Sequence, residues 1–345
     1  MSQAAAATDQ AWQHLSDKDL LQVRICDLGA QIEGSEVEPR VAQLLHELEA
    51  RDLRLKPVVY VSDEWQSPDG QPAIGVPFFL THPRLKALEF RMTFEVEGGT
   101  PNWCMKLLRH EAGHAFDHAY GLSRTRAWAA TFGSPRQPYN PYFYTTDPHS
   151  KRHVRNVPYN YAQCHPAEDF AETFAVWLNP STTWKTRYAG WPAMRKLRYV
   201  DRVMRELRGR PAPRRKVLKQ AEARLLRSTL KHYYDRKFRL YNMGDLTFSI
   251  RHLKTIFRPT RARQPQGPAS EFVRRHKRRV VDALTAWTGE TRPRVERVLA
   301  GLAHLCDQHH LVVAGDETAT LIRFTTFVST LIVNRVHTLN YRLEK

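Results

Sequence analysis

Cysteine is scarce in this chain of 345 residues, and its four copies (Cys26, Cys104, Cys164, Cys306) form no Cys-x-x-Cys pair. Scattered singly, they read as reduced thiols in a non-oxidising compartment. That excludes a disulfide-stapled scaffold and a cysteine-based metal ribbon. Long apolar runs are lacking too. The opening ten residues, MSQAAAATDQ, have no basic flank and no apolar core of signal-peptide length, and the longest apolar candidate, 321–333, contains Arg323 and several threonines. The expectation is a chain without a transmembrane segment, resident in the cytoplasm unless exported as an effector. No internal repeat stands out, and no aromatic-basic RNA-binding motif is found.

What is present is length and charge. A chain of this size buries a real core as one large domain or two ordinary ones. The net charge of +18 is uneven: residues 195–280 hold 27 Lys/Arg against 6 Asp/Glu, while the remainder holds 26 against 29. Such asymmetry marks either a polyanion partner (nucleic acid or an acidic surface) or a solvated basic face.

Along the chain, residues 1–20 read as a loose lead-in, and Val41, Leu44, Leu45 and Leu48 set an amphipathic helix over 37–53. Pro57–Val61 reads as a short strand. Residues 73–80 read as a second extended stretch, an edge strand because of Pro77 and the candidate edge for an extended peptide. Leu88, Phe90, Met92, Phe94 and Val96 alternate with polar residues, which predicts a third strand over 88–97. Thr100 as N-cap, Pro101 at the first turn and Gly121 as the stop frame a helix of roughly twenty residues. Periodicity then fades over 122–164, a stretch punctuated by prolines and tyrosines, Tyr139, Tyr142, Tyr144, Tyr159 and Tyr161 among them. It returns in a helix begun by Pro166 and ended by Asn179-Pro180. Further helices are predicted near 192–209, 215–236, 270–288, 292–309 and 316–337, with linker-like runs at 210–215 and 258–270. The fold class is α+β, a small mixed sheet over helices, followed by an α-helical C-terminal region. The divisions are an N-terminal helical lead-in (1–56), a central domain (57–209) and a basic α-helical region (210–345).

The chemistry lies in His110-Glu111-Ala112-Gly113-His114. Histidines four apart on a helix share one face and can hold one zinc ion, and the intervening glutamate can take a proton from a water activated there. This HExxH pattern supplies two ligands, and a hydrolytic zinc site takes three. A third histidine six residues on is missing, since position 120 is Tyr. A glutamate from the second helix is the alternative, with Glu168 the best placed. Glu172, four residues later, can accept the outer N–H of a ligand histidine and so set its tautomer. His118 continues the histidine stripe and, with His165, is the fallback third ligand. His165 otherwise reads as an N-cap. Asp117 reads equally as an acid steadying a ligand or as a solvated side chain. His149, His153 and Cys164 read as structural or substrate-side.

With its second motif, His165-Pro166-Ala167-Glu168-Asp169-Phe170-Ala171-Glu172-Thr173, the chain resembles a bacterial family of zinc-binding metallopeptidases whose signature runs His-Pro-x-Glu-Asp-aromatic-Ala-Glu-Thr. It also resembles, less closely, the gluzincin-type site of the anthrax lethal factor catalytic domain. The resemblance covers roughly 85–180. It implies a zincin-like core with His110, His114 and Glu168 as ligands of Zn2+, Glu111 as general base and Glu172 as the carboxylate orienting a ligand. By the lethal-factor pattern, Tyr161 is the donor to the oxyanion, with Tyr159 its near neighbour in sequence. The implied activity is zinc-dependent hydrolysis of peptide bonds. Two rivals stand beside it. One is a nucleic-acid-associated protease or binding protein using the basic region, and the other is an inactive zinc-binding scaffold, against which the intact Glu111 speaks.

Overall fold

The computed structural model describes residues 11–93, 96–139, 144, 146–147, 149–211, 213, 217–240, 246–259, 267–288 and 292–343. The chain forms two compact units, Met1–Thr145 with His149–Asp235, and Thr146–Pro148 with Arg236–Lys345. Helices dominate both, and a small sheet in the first makes the class α+β.

The first unit begins with a 3-10 turn at Ala11–His14, whose Trp12 is buried and donates its indole N–H to the Leu28 carbonyl at 3.1 Å. The short helix α1 (Asp17–Leu20) and the 3-10 turn Ile25–Leu28 follow, so residues 11–20 of the expected loose lead-in are packed, while residues 1–10 lie outside the described residues. Helix α2 (Glu38–Glu49) buries Leu44 and Leu48. Strands β1 (Val58–Ser62) and β2 (Ala73–Pro77) pair in parallel, with Tyr60 opposite Gly75.

The outer edge of β2 is already occupied. Gly75 exchanges both of its backbone hydrogen bonds with Gln66, at 2.7 and 3.3 Å, and the Ser67 hydroxyl donates to the Ala73 carbonyl at 2.9 Å. Pro77 has no N–H, and all five residues are buried. The expectation of a peptide-binding edge at 73–80 is therefore overturned, because the chain's own return segment fills it. Side chains force the same choice at Gly75, where a Cβ would come within 2.7 Å of Gln66 Cγ.

The third strand expected over 88–97 is also corrected. Pro83–Thr93 is helix α3. The period-two reading caught Leu88, Phe90 and Met92, yet the buried set is Leu85, Leu88, Glu89 and Thr93, spaced three, one and four along a helix face, while Phe90 is 53 % exposed. His82 Nδ1 accepts the Arg84 N–H at the helix start, and Arg84 and Arg91 both reach Asp17. Phe94 and Glu95 lie outside the described residues, and Val96–Gly99 closes a turn.

Helix α4 (Pro101–Tyr120) has the expected frame. Thr100 Oγ1 accepts the Trp103 N–H, and Gly121 ends the helix at φ +64°. A buried ion pair joins it to α2: the Arg109 guanidinium donates twice to Glu47, at 2.7 and 2.6 Å. Helix α5 (Arg126–Phe132), capped by Thr125, interrupts the stretch read as irregular. Its Trp128 and Phe132 are buried against Phe170. After a long loop and a 3-10 segment at Pro158–Gln163 comes helix α6 (Pro166–Leu178), nearly every residue of which is buried. Arg51 donates to the Trp177 and Leu178 carbonyls at its C-terminus, where the carbonyls lack helical partners. The short α7 (Trp184–Arg187) and the amphipathic α8 (Met194–Glu206) complete the packing.

The helix expected near 215–236 is shorter. Residues 217–229 are irregular, with a 3-10 turn at Ala223–Leu225 and isolated bridges from Glu222 to Ser62 and from Thr229 to Arg24, and only then does α9 (Leu230–Leu240) start. Apart from that turn, the backbone of this segment is spent on neighbouring segments of the first unit instead of on itself. Tyr233, fully buried, packs edge-on against Phe78 with ring centroids 5.1 Å apart.

The second unit contains α10 (Leu246–Ile256), α11 (Ala269–Thr288), α12 (Arg292–Gln308) and α13 (Glu317–Leu343). Two-residue strands β3 (Arg258–Pro259) and β4 (Leu311–Val312) pair antiparallel within it. Its own core is Phe257, Phe272, Val281, Leu302, Phe324 and Val328 with their neighbours. The three helices expected after residue 270 are found within two residues at each start, and α13 runs six residues beyond its expected end. Among the described residues, no helix is long and apolar enough to cross a membrane.

Candidate metal centre

Helices α4 and α6 cross closely because the residues at the crossing are small. Gly113 lies against Ala171, so near that a Cβ on Gly113 would be 2.9 Å from the Ala171 Cα. Phe116 and Phe174 pack beside this point with centroids 5.2 Å apart. The face of α4 bearing His110 and His114 is thereby set on the face of α6 bearing Glu168 and Glu172.

Three candidate donor atoms converge there. His110 Nε2 and His114 Nε2 are 3.2 Å apart, and Glu168 Oε2 is 3.0 Å from the first and 3.2 Å from the second. The other nitrogen of His110, Nδ1, is 2.9 Å from Glu172 Oε1. With Nδ1–H donating to Glu172, the Nε2 of His110 presents a lone pair to the other two donors. Three electron-rich atoms then face one point, which is stable when a cation occupies it. The donor set fits zinc, since zinc ligands at about 2.0–2.1 Å in tetrahedral geometry lie about 3.3 Å from each other. His110, His114 and Glu168 are accordingly the residues that can hold a metal ion.

The electrostatics of the cluster agree. Burial opposes charge on His110, yet the hydrogen bonds and charges of Glu168 and Glu172 hold its pKa well above the usual imidazole value. His114 is raised in the same way, mainly by Glu168 against the burial penalty. Burial would raise Glu168, but the two imidazoles outweigh it and pull its pKa far below the usual carboxylate range. The cluster is built to keep a carboxylate ionised beside groups that take up positive charge.

Glu172 is clamped in turn. Besides His110 it accepts the Asn156 side-chain amide at 2.8 Å and the Val157 backbone N–H at 3.0 Å. Lys106 donates to the Asn156 carbonyl and fixes that loop. Glu111 is buried but not drawn into the hydrogen bonds that tie up Glu168 and Glu172. Burial raises its pKa, while the charges of His110 and His114 lower it. A carboxyl group tuned upward beside a metal-ligand set suits proton transfer near neutrality.

Tyr161 stands on the same side, its ring 5.7 Å from that of His110. It follows Asn160, which takes the left-handed conformation at φ +52°, a position asparagine tolerates better than most residues. The Tyr161 hydroxyl is 3.0 Å from that of Tyr139, and Tyr139 donates to Glu168 Oε1 at 3.2 Å. Burial foremost, then Glu168, raises the pKa of both phenols, so they stay protonated donors. The side chain of Tyr159 lies outside the described residues, as does Tyr142.

Other expected residues are placed elsewhere. Asp117 accepts the Ser123 N–H at 2.6 Å, closing the turn after α4, and is not engaged with the histidine cluster. His118 stacks on His114 with centroids 6.3 Å apart, and its Nε2 is 3.9 Å from the exposed Asp69, outside the donor cluster. His165 caps α6 by accepting the Ala167 N–H. Its Nε2 meets the Gln137 carbonyl at 3.2 Å, which ties the loop before Tyr139 to the helix start. His153 lies 3.8 Å from Asp169, whose main partner is the buried Lys196 on α8 at 2.5 Å. Burial pushes the Asp169 carboxyl up to about 7 against the pull of Lys196.

Sequence reasoning passed over Tyr139, Asn156 and Val157 as partners of the site. All three lie in irregular chain, where no periodicity points to a contact partner. A tyrosine-rich loop between two metal-ligand helices was the only available signal.

Residues 105–224 match the sequence profile of the family described as Putative zinc-binding metallo-peptidase. The span takes in the histidine pair, the tyrosine loop, α6 and α8. No curated protein and no solved structure matches the chain.

Proposed function

We propose that the protein is a zinc-dependent metallopeptidase, a hydrolase of peptide bonds with a zincin-like core and a gluzincin-type ligand set. The observation that carries this reading is the convergence of His110, His114 and Glu168 within 3.2 Å of one another, backed by Glu172 on the outer nitrogen of His110. Zinc held there would lower the pKa of a water toward neutrality and polarise the scissile carbonyl. Glu111 accepts the proton of the attacking water and returns it to the leaving amine. The Tyr161 hydroxyl turns from Tyr139 to donate to the carbonyl oxygen as charge develops on it, an interaction worth most in the transition state. Glu172 keeps His110 in the tautomer that leaves Nε2 free for the ion. Asp117 takes no part.

The test separates metal from chemistry. Elemental analysis should find about one zinc per chain, lost in His110→Ala, His114→Ala and Glu168→Ala. Glu111→Gln should keep the metal and lose cleavage of a peptide library read by mass spectrometry. Full zinc in Glu168→Ala would sink the ligand assignment, and full activity in Glu111→Gln would sink the mechanism.

A second reading, binding of a polyanion through residues 195–280, is favoured by one observation. Arg195, Arg198, Arg202, Arg205 and Arg208 are all exposed, spaced three or four apart as one stripe along and just past α8, with Asp201 and Glu206 the acids among them. Arg202 and Arg205 are matched by Glu206 and Asp201, as Arg274 and Lys277 on α11 are by Asp307 and Glu296, so the excess charge of the stripe lies in Arg195, Arg198 and Arg208. Titration of the full-length protein with duplex DNA should give binding that weakens steeply with salt and is lost in an Arg198→Glu/Arg202→Glu variant. No binding at low salt would leave the stripe a solvated face.

A further inference from the structure

The hydroxyl of Tyr139 has one proton and two neighbours, Glu168 Oε1 at 3.2 Å and the Tyr161 hydroxyl at 3.0 Å. A carboxylate oxygen can only accept, so Tyr139 donates its hydrogen bond to Glu168 and accepts one from Tyr161. The chain of donation runs from Tyr161 to Tyr139 to Glu168. At its end, Oε1 is held by the phenol while Oε2 faces the two histidines. The ring of Tyr139 is braced edge-on by His165, with centroids 5.0 Å apart, and His165 is itself fixed by the start of α6 and by the Gln137 carbonyl. The phenol is thus built into the same helix end that carries Glu168, one turn away.

We propose that Tyr139 is a positioning residue for the metal ligand, holding Glu168 to coordination through one oxygen. The inference rests on the metallopeptidase reading of this site. Without the phenol, Oε1 is free to swing inward and chelate the ion with both oxygens. That would take up the position which a hydrolytic site leaves open for water. Tyr139 also accepts a hydrogen bond from Tyr161 at rest and so keeps that hydroxyl turned toward the site, ready to be redirected to a substrate oxygen. Tyr139 touches neither water nor substrate in this role. Its effect passes through Glu168 and Tyr161.

The experiment uses the full-length protein and its Tyr139→Phe and Tyr161→Phe variants, each loaded with Zn2+ in competition with a chromophoric chelator and, separately, with Co2+. Tyr139 is about half exposed, so the phenylalanine variant should still fold cooperatively, which thermal denaturation checks. Tyr139→Phe should weaken zinc binding by roughly tenfold or more, the usual effect of removing a hydrogen bond to a metal ligand. It should also lower the intensity of the Co2+ d–d bands, the signature of a higher coordination number. Tyr161→Phe should leave both readouts close to wild type, because Tyr139 still donates to Glu168. Wild-type zinc affinity and an unchanged cobalt spectrum in Tyr139→Phe would overturn this inference alone. A wild-type protein that takes up neither metal would overturn it together with the metallopeptidase reading.

Discussion

Gly113 sits between the two histidines, in the interior of a 20-residue helix, where alanine would ordinarily be the better residue. Considered as helix alone, Gly113→Ala should stabilise the protein by about 1 kcal/mol. The crossing with α6 reverses that sign. The new Cβ would lie 2.9 Å from the Ala171 Cα, 3.1 Å from the Phe174 Cβ and 3.2 Å from the Ala171 carbonyl oxygen. Ordinary carbon contacts fall at about 3.5–4.0 Å, so the shortfall against Ala171 is about 0.6 Å or more. Two of the three obstructing atoms are backbone and the third is a Cβ, so no rotamer change relieves them. Helix α6 must back away by several tenths of an ångström. Overpacking of this kind costs about 1–3 kcal/mol, which cancels the helix-propensity gain and leaves a net loss of up to about 2 kcal/mol. The displacement falls midway between Glu168 and Glu172, so zinc affinity should drop along with stability. Denaturant unfolding gives the first quantity and chelator competition the second. A Gly113→Ala variant that is more stable than wild type and binds zinc equally well would refute the claim that this crossing is at its limit.

Three further outcomes follow from neighbouring contacts. Glu172→Gln should weaken zinc by about ten- to a hundredfold while some turnover survives at saturating metal; equal affinity would reduce Glu172 to a packing carboxylate. Glu47→Ala strands the Arg109 guanidinium in the core and should cost about 3–5 kcal/mol, whereas Glu47→Leu with Arg109→Met should cost much less; equal losses in denaturant unfolding would contradict this. Burial lowers the pKa of His110 and His114 in the metal-free site, but the acids beside them win and raise it. Protons therefore compete with zinc at higher pH than for a free imidazole, and affinity should begin to fall while pH is still above about 6.5; a chelator titration across pH showing loss only below that value would count against it.

The chain by itself determined the framed helix around His110 and His114. Thr100, Pro101 and Gly121 are local signals, and a helix needs only its own backbone to satisfy its hydrogen bonds. The second helix was legible for the same reason, with Pro166 at its first turn and the apolar stripe of Phe170 and Phe174. Repetition of Glu168 and Glu172 at a spacing of four was enough to nominate a face, and the helices beyond residue 270 followed from periodicity alone. Residues 88–93 were misread because Leu88, Phe90 and Met92 satisfy a strand period over so short a run. What decides between the two periods is which side finds a core, and Leu85 and Glu89 found it in a helix. The edge expected at 73–80 failed for a non-local reason. The partner of Gly75 is Gln66, on the far side of the Ser67-Pro68-Asp69-Gly70 turn, and a turn signal does not say which strand edge the chain before it will cover. Tyr139, Asn156 and Val157 reach the site from irregular loops, whose course is set by where their polar atoms are satisfied after the helices have packed. Tertiary structure alone also gave Gly113 its meaning. In the sequence it is a weak spot in a helix, and in the fold it is the space that lets two helices approach closely enough for two histidines and a glutamate to meet.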